Sequence, residues 1–164
     1  MSYTIREARS EDAAAILTLI KALAVYEKEP DVVFATVEDI LRDGFGPNPL
    51  FLCLLAECDG QVGGFCLYFN KWSSWTGRGS LHLEDLFVDP QFRGRGLGLG
   101  LLRRLAKVTV EKGFQRFEWE VLDWNTLARD FYHNLGARHK EGWYPYRLEG
   151  DALLQLANSG DENA

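Results

Sequence analysis

Two stretches of this 164-residue chain carry the residue types that do chemistry. In LHLEDLFVDPQFRGRGLGLGLLRRLAK, Leu81 to Lys107, the adjacent carboxylates Glu84 and Asp85 precede four glycines, Gly94, Gly96, Gly98 and Gly100, that run into an amphipathic helical pattern. Glycine weakens a helix by about 1 kcal/mol relative to alanine. So many at a helix start point to a purpose other than the fold. Amides with no side chains in front of them, at a helix N-terminus, form an anion site, and Arg93 and Arg95 add positive charge. A tight strand-to-helix turn needs only one or two glycines, which favours the anion site. Common nucleotide loops do not fit. Leu99 and Gly100 stand where a phosphate loop needs Lys and Ser/Thr after its last glycine, and G-x-G-x-x-G ends on Leu99 or Leu101 instead of glycine. R-x-x-G-x-G does fit, at Arg93, Gly96 and Gly98. The second stretch, WNTLARDFYHNLGA from Trp124 to Ala137, carries a phenol. Leu127, Phe131 and Leu135 form its core stripe at helical spacing, and Tyr132 is rotated about 100° off it.

The elements that must position these groups are legible from pattern. YTIREAR alternates as a strand. Ser10 is expected to cap a first helix, with Glu11 and Asp12 in its first turn and a stripe at Ile16, Leu19, Ile20 and Leu23. TVED, Thr36 to Asp39, has the form of a capping box for a second helix ending near Gly44. LFLCLLAE and QVGGFCLYF read as a hairpin turning at Asp59-Gly60, and NKWSSWTGRGS as a loop. SLHLEDLFV is a further strand, QRFEWEVL another, and WYPYRLE a late one. Helices are expected after the glycines, from Asn125 to Leu135 with Gly136 as its stop, and from Asp151 to Ala157. This order describes one mixed α/β domain over 1–157 with a flexible tail at 158–164. Within LHLEDLFV the apolar phase slips: Leu81 and Leu83 share one face, and Leu86 and Val88 fall on the other. Either a β-bulge at Glu84-Asp85 absorbs the extra residue and splays the strand, or the strand is buried on both faces.

Bulk properties narrow the class. A hydrophobic content of 46% and a charged content of 26% are globular. The net charge of −6 argues against nucleic acid as a partner and suits a cationic substrate. The N-terminus lacks a signal-peptide core and no membrane-length apolar run is present, so a cytoplasmic location without membrane association is expected. Cys53, Cys58 and Cys66 lie in strand-like apolar runs with no ligand spacing, and His82, His133 and His139 show no ligand spacing and no partner cysteine. Reduced core thiols and no metal are the expectation.

With the R-x-x-G-x-G turn after LEDLFVDP and the WNTLARDFYHNLGA segment in hand, the chain resembles the GNAT N-acetyltransferases. Within them it is most similar to the diamine (spermidine/spermine) and thialysine acetyltransferase group. Leu19-Ile20-Lys21, Leu23-Ala24, Tyr26-Glu27, Asp43 to Gly46, Leu83 to Val88, and Phe131, Tyr132, Gly136 and Ala137 carry the match. The resemblance implies a GNAT-type domain: a mixed, mostly antiparallel sheet with a bulged, splayed central strand and helices on both faces. It implies acetyl-CoA as co-substrate, held by Leu86, Phe87, Val88, Arg93, Gly94, Arg95, Gly96, Leu97, Gly98, Leu99, Asn125, Ala128 and Tyr132. It also implies a homodimer.

Acetyl transfer to an amine needs a neutral amine, a donor for the oxyanion and a proton for the departing thiolate. The resemblance assigns Glu84 as base, acting through water, and Tyr132 as acid. It places Tyr26, Glu27, Glu84 and Asp85 at the acceptor amine. Glu118 and Glu120 share a face that reads as solvated. Trp72 and Trp75 are either cation–π faces or packing anchors. The expected reaction is direct transfer in a ternary complex to a diamine, polyamine or lysine-like amine. A catalytically silent acyl-CoA-binding domain and a protein or peptide acetyltransferase are the alternatives.

Overall fold

A capping box does open the second helix. Thr36 Oγ1 accepts from the Asp39 amide and the Asp39 carboxylate takes the Thr36 amide at 2.9 Å, setting α2 at Val37–Phe45. The first helix starts differently from expectation. Ser10–Asp12 is a 3-10 turn and α1 runs Ala13–Tyr26. The Asp12 carboxylate, not Ser10, organises this start, accepting the Arg9 amide at 2.7 Å and the Arg6 guanidinium at 2.8 and 2.9 Å. A charge-assisted bidentate pair outweighs a hydroxyl cap.

This computed structural model describes residues 2–160. The chain divides into two compact units, Met1–Glu120 and Val121–Ala164. The first holds a five-stranded sheet in sequence order: β1 Tyr3–Glu7, β2 Leu52–Cys58, β3 Gln61–Ser73, β4 Arg78–Val88 and β5 Arg116–Trp119. Neighbours are antiparallel except β4 and β5, which run parallel and are joined by α3, Leu97–Glu111, as a parallel pair requires. Asp59 and Gly60 turn the β2–β3 hairpin with φ of 54° and 76°.

Alternation divides the strands between two apolar layers. Cys53 and Leu55 of β2, Phe65 and Leu67 of β3, and Phe87 of β4 pack with Ile16, Leu19 and Leu23 of α1 and with Ile40 of α2. Leu54, Ala56 and Cys66 point the other way and are fully buried, as are Leu97, Leu101 and Leu105 of α3. No helix among the described residues is long and apolar enough to cross a membrane.

Other expectations are corrected by the structure. The presumed loop at 70–80 is mostly strand: Trp72 pairs with Gly79 and Ser73 with Arg78, so only a short turn interrupts the ladder. β5 stops at Trp119 rather than Leu122. In the second unit, α4 is Thr126–Asn134 and α5 is Gly150–Asn158. Residues 143–149 form no strand. Pro145 lacks the amide a ladder needs, and Tyr144 and Tyr146 are 85% and 95% exposed. Leu127 and Leu135 are also exposed, so the stripe expected to be core is not buried. A strandless unit of short helices has no apolar layer of its own to cover them. The expected tail begins in the last turn of α5, and 161–164 lie outside the described residues.

Candidate active site

The slip in LHLEDLFV is a β-bulge. Leu83 pairs with Tyr68 and Asp85 with Leu67, so Glu84 is the extra residue. Two consequences follow from its position. Leu83 and Leu86 stay on one face across the bulge, since their partners Tyr68 and Cys66 share a face of β3. The ladder to β5 also ends there, its last pair being Leu83 and Trp119. Beyond it β4 continues to Val88, opening a gap on that edge.

Amide directions in this segment follow from one bond. The Asp89 N–H donates to the Gly63 carbonyl at 2.9 Å. Alternation then turns Phe87 and Asp85 toward β3, and the N–H groups of Leu86 and Val88 toward the gap. The Val88 carbonyl, aimed the same way, accepts from Arg93 Nε at 2.9 Å.

The glycine turn follows. Gly94 and Gly96 have φ of 73° and 84°, and Gly96 is the residue before α3. A Cβ on Gly94 would meet nothing within 4 Å. One on Gly98 would meet only Val88 Cγ2, at 3.7 Å. The first amides of α3 thus open outward with no side chain in front of them, the arrangement of an anion site. Gly100 has a different purpose: a Cβ there would lie 2.6 Å from the ring of Tyr3. Not every glycine of the run is for an anion.

Both arginines of the turn are tethered. Arg93 lies over the rings of Tyr26 and Phe87, at 5.0 and 5.6 Å from their centroids. Arg95 lies over Phe92 at 5.5 Å, with Nη1 at 3.4 Å from Cys58 Sγ and 3.8 Å from Asp59. The Arg93 stack was not foreseen from sequence. It joins the end of α1, the end of β4 and the glycine turn at one point.

Next to that point are the carboxylates. Asp85 follows Phe87's parity, toward α1. Burial, with Glu84 and then Glu27 as neighbouring negative charges, pushes its carboxyl up to about 6. Burial also raises Glu27, which ends α1. Glu27, Glu84 and Asp85 therefore form one electronegative cluster. Glu118, by contrast, is tied to Lys71 at 3.3 Å and to Ser80 at 3.4 Å. Trp72 and Trp75 are exposed on the β3–β4 hairpin.

In the second unit Asn125 caps α4, its Oδ1 accepting the Ala128 amide at 3.2 Å. Tyr132 lies one turn on, its ring 5.7 Å from that of Phe131. The cysteines are free and buried. Burial pushes the Cys66 thiol up to about 12 and raises Cys53 as well, so neither supplies a thiolate nucleophile. A cavity of about 460 Å³ opens beside Glu7, Phe45, Leu52, Tyr68 and Arg104, and no expected site residue lines it.

The chain belongs to the acetyltransferase (GNAT) family, whose model matches residues 14–137. It is an acetyl-CoA-dependent N-acetyltransferase. Thialysine N-epsilon-acetyltransferase of Sus scrofa is 44% identical over 95% of this chain and 98% of its own length. The Mus musculus protein of the same name is 41% identical over 95% and 98%. Among solved structures, an integron cassette protein from the mobile metagenome of V. cholerae aligns with a TM-score of 0.82 at 26% identity, covering 97% of this chain and 99% of that one.

Two outcomes test this site. Gly98→Ala adds a methyl where the fold has room, so the melting temperature holds or rises while the KM for acetyl-CoA increases; Gly100→Ala, driven into Tyr3, lowers the melting temperature. Calorimetry and steady-state kinetics on both variants separate the roles. For Asp85, the folded-state pKa lies above the unfolded value. Its protonated form stabilises the fold at low pH, and that contribution is lost as pH rises through about 6. Asp85→Asn is therefore expected to stabilise the protein at pH 8 by about 2 kcal/mol and to make little difference near pH 4, read by denaturant titration at both pH values.

Proposed function

We propose that the enzyme acetylates a primary amine of a small acceptor carrying a second positive charge: a diamine, a polyamine or a lysine-like side chain such as thialysine. The observation that carries this is the cluster of Glu27, Glu84 and Asp85, where burial opposes ionisation of Glu27 and Asp85 and the Glu84 and Glu27 charges oppose it further at Asp85. A cation relieves that repulsion. The similarity to thialysine N-epsilon-acetyltransferases over nearly the whole chain supports the same acceptor class.

In this reading the outward amides of Gly96 to Leu99, with Gly94 leaving the approach open and Arg93 and Arg95 adding charge, hold the pyrophosphate. The gap-facing N–H groups of Leu86 and Val88 hold the pantetheine arm and the thioester carbonyl, and Phe87 buttresses them. Acetyl-CoA supplies the activated acetyl group. Glu84, exposed at the bulge, takes the proton of the attacking ammonium through water, and Glu27 and Asp85 hold the distal ammonium beside Tyr26. Tyr132 Oη gives its proton to the departing thiolate, with Asn125 and Ala128 presenting α4 to the cofactor. Transfer is direct, because the buried cysteines stay protonated. Buried thiols also suit a reducing, cytoplasmic setting. A homodimer accounts for Trp143, Tyr144 and Tyr146, whose exposure leaves more aromatic surface than a solvated loop needs.

Thiol release from acetyl-CoA across a panel of amines tests the acceptor. Dications are expected to exceed monoamines of equal length in kcat/KM, with rates rising from neutral pH to about 9 as the attacking amine, pKa about 10.4, loses its proton. Glu27→Gln raises KM for dications more than for monoamines. Faster reaction of neutral-tailed amines or peptide N-termini would remove the acidic-pocket argument. Tyr132→Phe is expected to lower kcat by about 10²-fold with acetyl-CoA affinity little changed; wild-type turnover would assign the proton to another group.

A further inference from the structure

Glu84 stands at the bulge with its side chain 60% exposed, so packing alone does not fix its carboxylate. Two residues earlier on the same strand, His82 brings Nε2 to 3.6 Å from Glu84 Oε2. That is longer than a hydrogen bond, and rotation of the exposed carboxylate closes it. The imidazole is the fixed partner. Its side chain is 17% exposed and it stacks on Phe69, with ring centroids 4.8 Å apart.

Its other nitrogen decides where the proton sits. Nδ1 is buried and has no hydrogen-bond partner among the described residues. A proton on Nδ1 would bury an unsatisfied N–H, whereas a proton on Nε2 faces the Glu84 carboxylate. Two other carboxylates are near. Glu118, the register partner of His82 on β5, is bound by Lys71 and Ser80, and Asp85, on the same sheet face as His82, lies past the bulge beside Glu84 and Glu27.

We propose that His82 is a positioning residue for Glu84: its Nε2–H holds one carboxylate oxygen and leaves the other to receive the proton of the acceptor ammonium. This rests on Glu84 being the proton acceptor. The proton passes from the amine nitrogen to the second oxygen of Glu84, through the intervening water, and then to solvent. The His82 proton stays on Nε2 throughout, so the imidazole is not consumed. The sequence alone offered no sign of this, since a histidine in an alternating strand reads as ordinary.

The test is a double-mutant cycle at saturating acetyl-CoA and acceptor. His82→Phe keeps the stack on Phe69 and removes the donor; it is expected to lower kcat about tenfold, the effect of one hydrogen bond to a charged group, with both KM values within about twofold of wild type. His82→Gln, whose amide reaches the position of Nε2, restores most of the loss, while His82→Asn, whose amide falls short, does not. In a Glu84→Gln background, which by itself slows the enzyme, His82→Phe has no further effect. Should His82→Phe fold poorly, the Gln and Asn pair reads the same point with equal polarity. Wild-type kcat in His82→Phe or His82→Asn, an unrescued loss in His82→Gln, or the same loss with and without Glu84 would each overturn the positioning role while leaving Glu84 as the acceptor. Wild-type kcat in Glu84→Gln alone would instead overturn the reading of Glu84, and this inference with it.

Discussion

One extra residue in one strand organises the first unit. With Glu84 unpaired, β4 keeps Leu83 and Leu86 on one buried face, yet leaves β5 after Leu83 and Trp119. A regular strand offers two poor alternatives here. Either half of its leucines point the wrong way, or it stays zipped to β5 and its outward amides are used up in the ladder. The bulge serves hydrophobic burial and backbone exposure at once. It also sets the parity that carries Asp85 toward α1 with Phe87, and leaves Glu84 at the solvent-exposed kink.

From that kink the electrostatics follow. Glu27, Glu84 and Asp85 come from two separate elements, and burial and then the Glu84 and Glu27 charges raise the Asp85 carboxyl. Arg93 is engaged by the Val88 carbonyl and by the faces of Tyr26 and Phe87. Arg93 thereby joins the glycine turn to the ends of α1 and β4, and its charge is spent on those partners. A site arranged in this way favours a cationic visitor through long-range attraction as well as contact.

Much of this could be read from the chain itself. The phase slip in LHLEDLFV pointed to Glu84-Asp85, the Asp59-Gly60 turn to a hairpin, Thr36 to a cap, and the R-x-x-G-x-G spacing to the start of α3. Each is a local pattern with a local cause. What escaped depended on side chains that meet only in the folded chain. Asp12 took over the helix start because Arg6 reaches it from β1. Gly100 belongs to Tyr3, the Arg93 stack needs Tyr26, and His82 acquires meaning only from its distance to Glu84. WYPYRLE alternated like a strand, but alternation does not supply an edge to pair with, and Pro145 removes a donor. The burial that lifts Asp85 is likewise invisible to residue spacing.

The notch that Gly100 leaves in α3 is filled by the ring of Tyr3, which also lies 3.6 Å from where a Cβ of Gly96 would be. Tyr3 in turn is held in the sheet opposite Cys58. The glycine turn proposed to hold the pyrophosphate therefore rests on the first strand of the chain, across nearly the whole length of the unit. Contacts of such long sequence separation form late, because the chain entropy of closing the loop must be overcome before they can contribute. A nascent chain has translated its glycine turn before β1 can dock beneath it, so competence to hold the cofactor arrives with the completed topology rather than with the motif. Once the cofactor is held, linkage requires that its binding strengthen the N-terminal strand against local opening.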